Sequence, residues 1–188
     1  MPDTKQDLRR ALVVVHESGL GPVAMVGEAI AASLRAEGLD TEVGRSGGPI
    51  EWSGLELVVI GCAATALASR RDRPEGLRHW LATLPHGGGA QPSLATYETR
   101  ISRRGLRRGA ATCTARGLWS RGWRVASTPA TFFVSECGAL GAAELTRATR
   151  WGHDLGRIDD RHRPLHDRAS VLAAADDAPT AELASSLA

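Results

Sequence analysis

ALVVVHESGLGPVAMVGEAIAASLRA, residues 11–36, decides how the chain is read. Ala11 to Val15 is an apolar, β-branched run of the kind that forms a parallel strand buried on both faces. His16 to Gly21 is a polar turn with two glycines, and Pro22 suits the first position of a helix, where a missing N–H costs nothing. Val23, Val26, Ile30 and Leu34 then recur at spacings of three and four, which predicts a helix with one apolar face. Strand, tight turn and helix N-terminus together form an anion site in principle. The unpaired N–H groups and the helix dipole point at whatever sits in the turn.

Outward from this unit, the chain alternates strands and helices. Gly38 stops the first helix, and Thr41-Glu42-Val43 reads as a short second strand. Leu55 to Ile60 is the strongest strand, ending at Gly61-Cys62. Pro74 opens a helix whose inner side carries Leu77, Trp80, Leu81 and Leu84. A strand over Pro92 to Tyr97 precedes an arginine-rich linker, a helix around 108–121 and Gly122 as its stop. Trp123-Arg124-Val125 and Thr131 to Val134 read as two pieces of one broken last strand. Leu140 to Ile158 is the last helix, with Leu145, Ala148, Trp151, His153 and Leu155 near its inner face. This order predicts a doubly wound α/β domain over residues 10–158. Residues 159–188 change to a charged, then alanine-rich and acidic composition, expected of a partly helical or disordered tail.

Composition bounds the function. The chain has 188 residues, 43% hydrophobic and 23% charged, and fits one globular domain. A net charge of +2 gives no general attraction for a polyanion. Arg100, Arg103, Arg104, Arg107 and Arg108 form the densest charge run, but no row of aromatics is interleaved, so a solvated linker is expected and not a nucleic-acid reader. Cys62, Cys113 and Cys137 are sparse and unpaired in spacing, which fits a reducing cytosol. The polar start MPDTKQDLRR lacks the apolar core of a signal peptide, and no run reaches the length of a membrane span. His153, His162 and His166 lack metal-ligand spacing, so no metal is expected.

If the strand order is 2-1-3-4-5, ligands belong outside the carboxyl ends of the strands at the topological switch point. The lining segments are then His16–Val23, Cys62–Ser69, Tyr97–Ile101 and, farther off, Ser135–Leu140. Ser18-Gly19-Leu20-Gly21-Pro22-Val23 can bring N–H groups and a hydroxyl to a phosphate, and can equally be a structural turn with Ser18 as its cap. Gly19-x-Gly21-x-x-Ala24 with Glu42 also fits a relaxed dinucleotide fingerprint, but three residues separate strand and first glycine, where that fingerprint has almost none. His16 and Glu17 are neighbours on strand geometry and face opposite ways, which argues against an acid–base pair. Cys62 and Cys137 both follow strands; redox use and inert burial are the two readings.

These segments together resemble the flavodoxin family. The 11–36 stretch is similar to its first strand, phosphate loop and first helix, and Glu56-Leu57-Val58-Val59-Ile60-Gly61 to its third strand. Ala95-Thr96-Tyr97-Glu98-Thr99-Arg100 resembles the (F/Y)-(D/E)-T-R segment where the second flavin loop begins. Phe132-Phe133-Val134 through Gly138-Ala139-Leu140, with Glu144, Arg147, Ala148, Trp151 and Gly152, resembles the ending of small flavodoxin-like proteins. The resemblance covers about residues 10–157. It implies a five-stranded parallel sheet with helices on both faces, binding FMN without a covalent bond and carrying one or two electrons. By position, Ser18, Gly19, Leu20, Gly21, Pro22 and Val23 would surround the FMN phosphate. Cys62, Ala63, Ala64 and Thr65 would face one side of the flavin ring; Tyr97, Glu98 and Thr99 would face the other, with Tyr97 the stacking ring.

Two departures bear on affinity. Pro22 and Val23 stand where the family has Asn and a hydroxyl residue, so an N–H and a hydroxyl are missing. At about 1.5–3 kcal/mol for each charge-assisted bond, that loss amounts to orders of magnitude in binding. The Cys62–Leu67 loop also has no aromatic residue. The expectation is therefore an FMN-binding electron-transfer protein or FMN-dependent oxidoreductase with an unknown redox partner. Its alternative is a module of this fold that has lost FMN and acts through protein–protein contacts.

Overall fold

The computed structural model describes residues 9–16, 21–64, 76–88, 91–101 and 109–158. The elements run β1 (Arg10–His16), α1 (Pro22–Ala36), β2 (Asp40–Arg45), β3 (Leu55–Ala63), α2 (Leu77–Thr83), β4 (Ser93–Arg100), α3 (Ala110–Trp119), β5 (Ala130–Phe133) and α4 (Ala142–Gly156). All strands pair in parallel, in the order β2-β1-β3-β4-β5. The expected fold class is thus observed. The broken last strand is also as read. Val125 makes an isolated parallel bridge to Leu94, and Ala130–Phe133 pair with Tyr97–Arg100 of the same β4. The tail, Pro74 and the four arginines after Arg100 lie outside the described residues.

Strand alternation divides the core in two. Ala11, Val13, Val15, Leu57, Val59, Ala95, Tyr97 and Phe132 face α1 and α4. Val14, Val58, Ile60, Cys62 and Leu94 face α2 and α3, where Leu77, Trp80 and Leu118 meet them. Helices α1 and α4 approach closely because Gly152 has no side chain: a Cβ there would lie 2.7 Å from the Cβ of Ser33. Their ends are clasped by Glu37, which meets His153 Nδ1 at 2.7 Å and Arg157 Nη2 at 3.1 Å. The other face is covered differently. No helix joins β2 to β3; the short segment 46–54 crosses the sheet instead, and its Ile50 and Trp52 pack onto the second core. Trp52 meets Trp123 edge-on at 5.5 Å, supplying apolar cover that a helix would otherwise provide.

The tightest fit is at Tyr97. Its side chain is fully buried, against Phe132 at 6.1 Å and Trp151 at 6.4 Å between ring centres. The phenol occupies space left by Gly61: a Cβ on that glycine would lie 1.9 Å from Tyr97 Cζ. Gly61→Ala is therefore expected to destabilise the domain by about 3 kcal/mol in urea unfolding, and Tyr97→Leu in the same chain to recover part of that loss. A second expectation concerns acid. Hydrogen bonds from His153, then Arg157, hold the Glu37 carboxyl below its ordinary 4.5. A depressed carboxyl stabilises above its unfolded value and loses that contribution as pH falls through the folded one. The Tm difference between wild type and Glu37→Gln should close as the pH falls below about 5.

Candidate functional site

The strands end toward the turn before α1, the residues after β3 and β4, and the Ser135–Leu140 loop. Helix α1 begins at Gly21, an extended N-cap residue with no side-chain hydrogen bond, and its first turn carries no acidic residue. Its first internal bond runs from Met25 N–H to the Gly21 carbonyl at 3.1 Å. This start is compatible with an anion. At the end of β1, His16 Nδ1 shares a hydrogen bond with Ser46 Oγ at 2.6 Å.

Of the residues expected around a phosphate, Ser18, Gly19 and Leu20 lie outside the described residues, as does Glu17. Gly21 and Pro22 stand half-buried at the helix start. Val23 is different: its side chain is fully buried in the core between α1 and the sheet, leaving only its backbone for any ligand. After β3, Ala63 is half-buried and Ala64 is nearly covered, with the Ala64 N–H donated to the Thr99 carbonyl at 2.8 Å. Thr65 lies outside the described residues.

Cys62 points into the second core and is wholly buried. Burial pushes its thiol up to about 12, and the nearby Glu98 charge adds to the rise. It is the inert cysteine of the two readings. Cys137 is the opposite case. It is exposed in the loop after β5, 3.0 Å from Ser135 Oγ, and that hydrogen bond with the Ala139 backbone lowers its pKa.

The second flavin-facing segment requires a correction. Tyr97 presents no ring face at the surface. Side chains alternate along β4, and this one falls on the α1/α4 side, where Gly61 and Gly27 leave room for it and its hydroxyl donates to the Val23 carbonyl at 2.8 Å. A stacking role is closed to it. Thr99 is also buried on this strand.

Glu98, fully buried, points the other way. Its Oε2 accepts the Ala111 N–H at 3.1 Å, its Oε1 accepts from Thr131 Oγ1 at 3.3 Å, and Arg100 Nη2 stands 3.0 Å from Oε1. A strand carboxylate thus caps α3, whose own N-cap residue, Gly109, has no side chain to do so. The pairing of a buried acid with an uncapped Gly-Ala-Ala helix start is the sequence signal for this role. Glu42 sits within β2, 4.0 Å from Arg10, and not at the carboxyl end where a ribose-binding acid belongs.

No family model and no curated protein matches the chain. Solved structures do. A short-chain flavodoxin associated with a bacterial microcompartment superposes with a TM-score of 0.60 at 12% identity, over 79% of this chain and 97% of that one. The chain has the flavodoxin fold. A Streptococcus pneumonia flavodoxin gives 0.59 at 17% identity over 78% and 97% of the two chains, and a flavodoxin from the domain Archaea 0.55 at 16% over 78% and 96%. Neighbours also include a flavodiiron core from Synechocystis, at 13% identity and a TM-score of 0.53. Among the described residues, no helix is long and apolar enough to cross a membrane.

Thiol labelling reads this site directly. Iodoacetamide at neutral pH should modify Cys137 first, with Cys113 slower, and should reach Cys62 only after unfolding, as followed by peptide mass spectrometry.

Proposed function

We propose that this flavodoxin-fold domain binds FMN through the turn before α1 and works in electron transfer or as an FMN-dependent reductase. The observation that carries the reading is the start of α1: an N-cap glycine with no side chain to cap the helix and no acidic residue in the first turn, following β1 at the switch point of a 2-1-3-4-5 sheet. The flavodoxin fold of the neighbours and the resemblance of the 11–36 stretch support it. The residues present fit the phosphate end of FMN better than its ring. Gly21 permits close backbone approach, while Pro22 withholds one N–H and the buried Val23 side chain adds no donor. Ala63, half-buried at the end of β3, would leave a small apolar edge on one side of the ring, and Arg100, half-buried at the end of β4, would border the other. Bound FMN would supply the one- or two-electron chemistry; the protein's part is to hold the phosphate and to exclude water from the ring edge.

A second reading, a module that has lost FMN and acts on protein partners, is favoured by the inward placement of Tyr97, the one tyrosine, phenylalanine or tryptophan among the described Tyr97–Ile101 and Cys62–Ala64 segments.

Titration of FMN, followed by quenching of its fluorescence, separates the two. Wild type is expected to bind in the micromolar range, and Pro22→Asn, which restores an N–H at the first helical position, to bind about tenfold tighter. Absence of binding by both proteins would leave the protein-partner module.

A further inference from the structure

We propose that Tyr97 is a positioning residue for the N-terminal turn of α1: its hydroxyl, bonded to the Val23 carbonyl, fixes that first helical turn and so the backbone that the helix start offers to a ligand. The inference rests on the phosphate-binding reading above. Three observations lead to it. Gly21, the N-cap residue of α1, has no side chain to cap the helix, and Pro22 has no N–H. The Tyr97 hydroxyl reaches this turn from β4, 74 residues away in sequence, with a 2.8 Å bond in a buried setting. And the ring has one place to go. A Cβ at Gly27 would lie 2.8 Å from the hydroxyl and one at Gly61 would overlap the ring, so both glycines shape a slot that fits the phenol in this orientation. A phenylalanine would fill the same slot but could not hold the carbonyl. The hydroxyl therefore does something that packing alone does not require: it ties the carboxyl half of β4 to the first turn of α1. The group expected to stack on the flavin acts on its phosphate end instead, through Val23.

Tyr97→Phe in the full chain tests this with two readouts. FMN affinity should fall about tenfold, while riboflavin, which lacks the phosphate, should change less than about twofold. Exchange of the Met25 amide, which makes the first internal bond of α1, should quicken about tenfold, with the Leu34 amide unchanged. Equal FMN affinity in variant and wild type would overturn the inference. So would a loss shared equally by FMN and riboflavin, because that reports a loosened core. If wild type binds no FMN, the cofactor reading fails by itself and amide exchange alone decides: quickening confined to the first turn supports the positioning role, and uniform or absent quickening overturns it.

Discussion

The domain is assembled around one buried phenol. Tyr97 of β4 meets β3, β5, α1 and α4 at once: Gly61 and Gly27 leave room for it, and Phe132 and Trp151 meet its ring edge-on. An aromatic ring of this size contributes a large share of the apolar burial on that face, but only if the slot is empty before it arrives. The hydroxyl adds a directional constraint to a contact that would otherwise be non-directional. Sheet and first helix are thereby fixed in register at the edge where the fold binds ligands.

The opposite face solves a different problem. With no helix between β2 and β3, the sheet there depends on the crossing segment 46–54, and Trp52 against Trp123 supplies the cover. Farther along, a carboxylate is buried without strain on the charge balance. Glu98 is met by Arg100, by Thr131 and by the Ala111 amide at the positive end of α3. Burying an unpaired carboxylate would cost several kcal/mol; here a helix end and a guanidinium offset that cost together. The N-terminus of α3 is thus served from within the sheet.

Most of the architecture was legible because it rests on local chemistry. β-Branched runs marked β1 and β3, the three- and four-residue spacing of Val23, Val26, Ile30 and Leu34 marked α1, and all four are fully buried as the pattern requires. Gly38 and Gly122 end their helices with φ of 86° and 90°, the left-handed region in which glycine is at ease. The site was less legible. Tyr97, at the end of its predicted strand, reads as a stacking ring and Glu98 beside it as a flavin-facing residue, until the core and α3 are placed around them.

The sequence by itself determined the succession of strands and helices along the chain, the glycine-bearing turn between the first strand and the first helix, and the lack of an N–H at Pro22 and of a hydroxyl at Val23, since each depends on residues adjacent in the chain. Only the tertiary structure decided the directions of Tyr97 and Glu98. Neighbours on a strand point to opposite faces, but which face receives two empty glycine positions and which a bare helix end is set by elements distant in sequence. Steric space settled the first and the helix's unpaired amide the second.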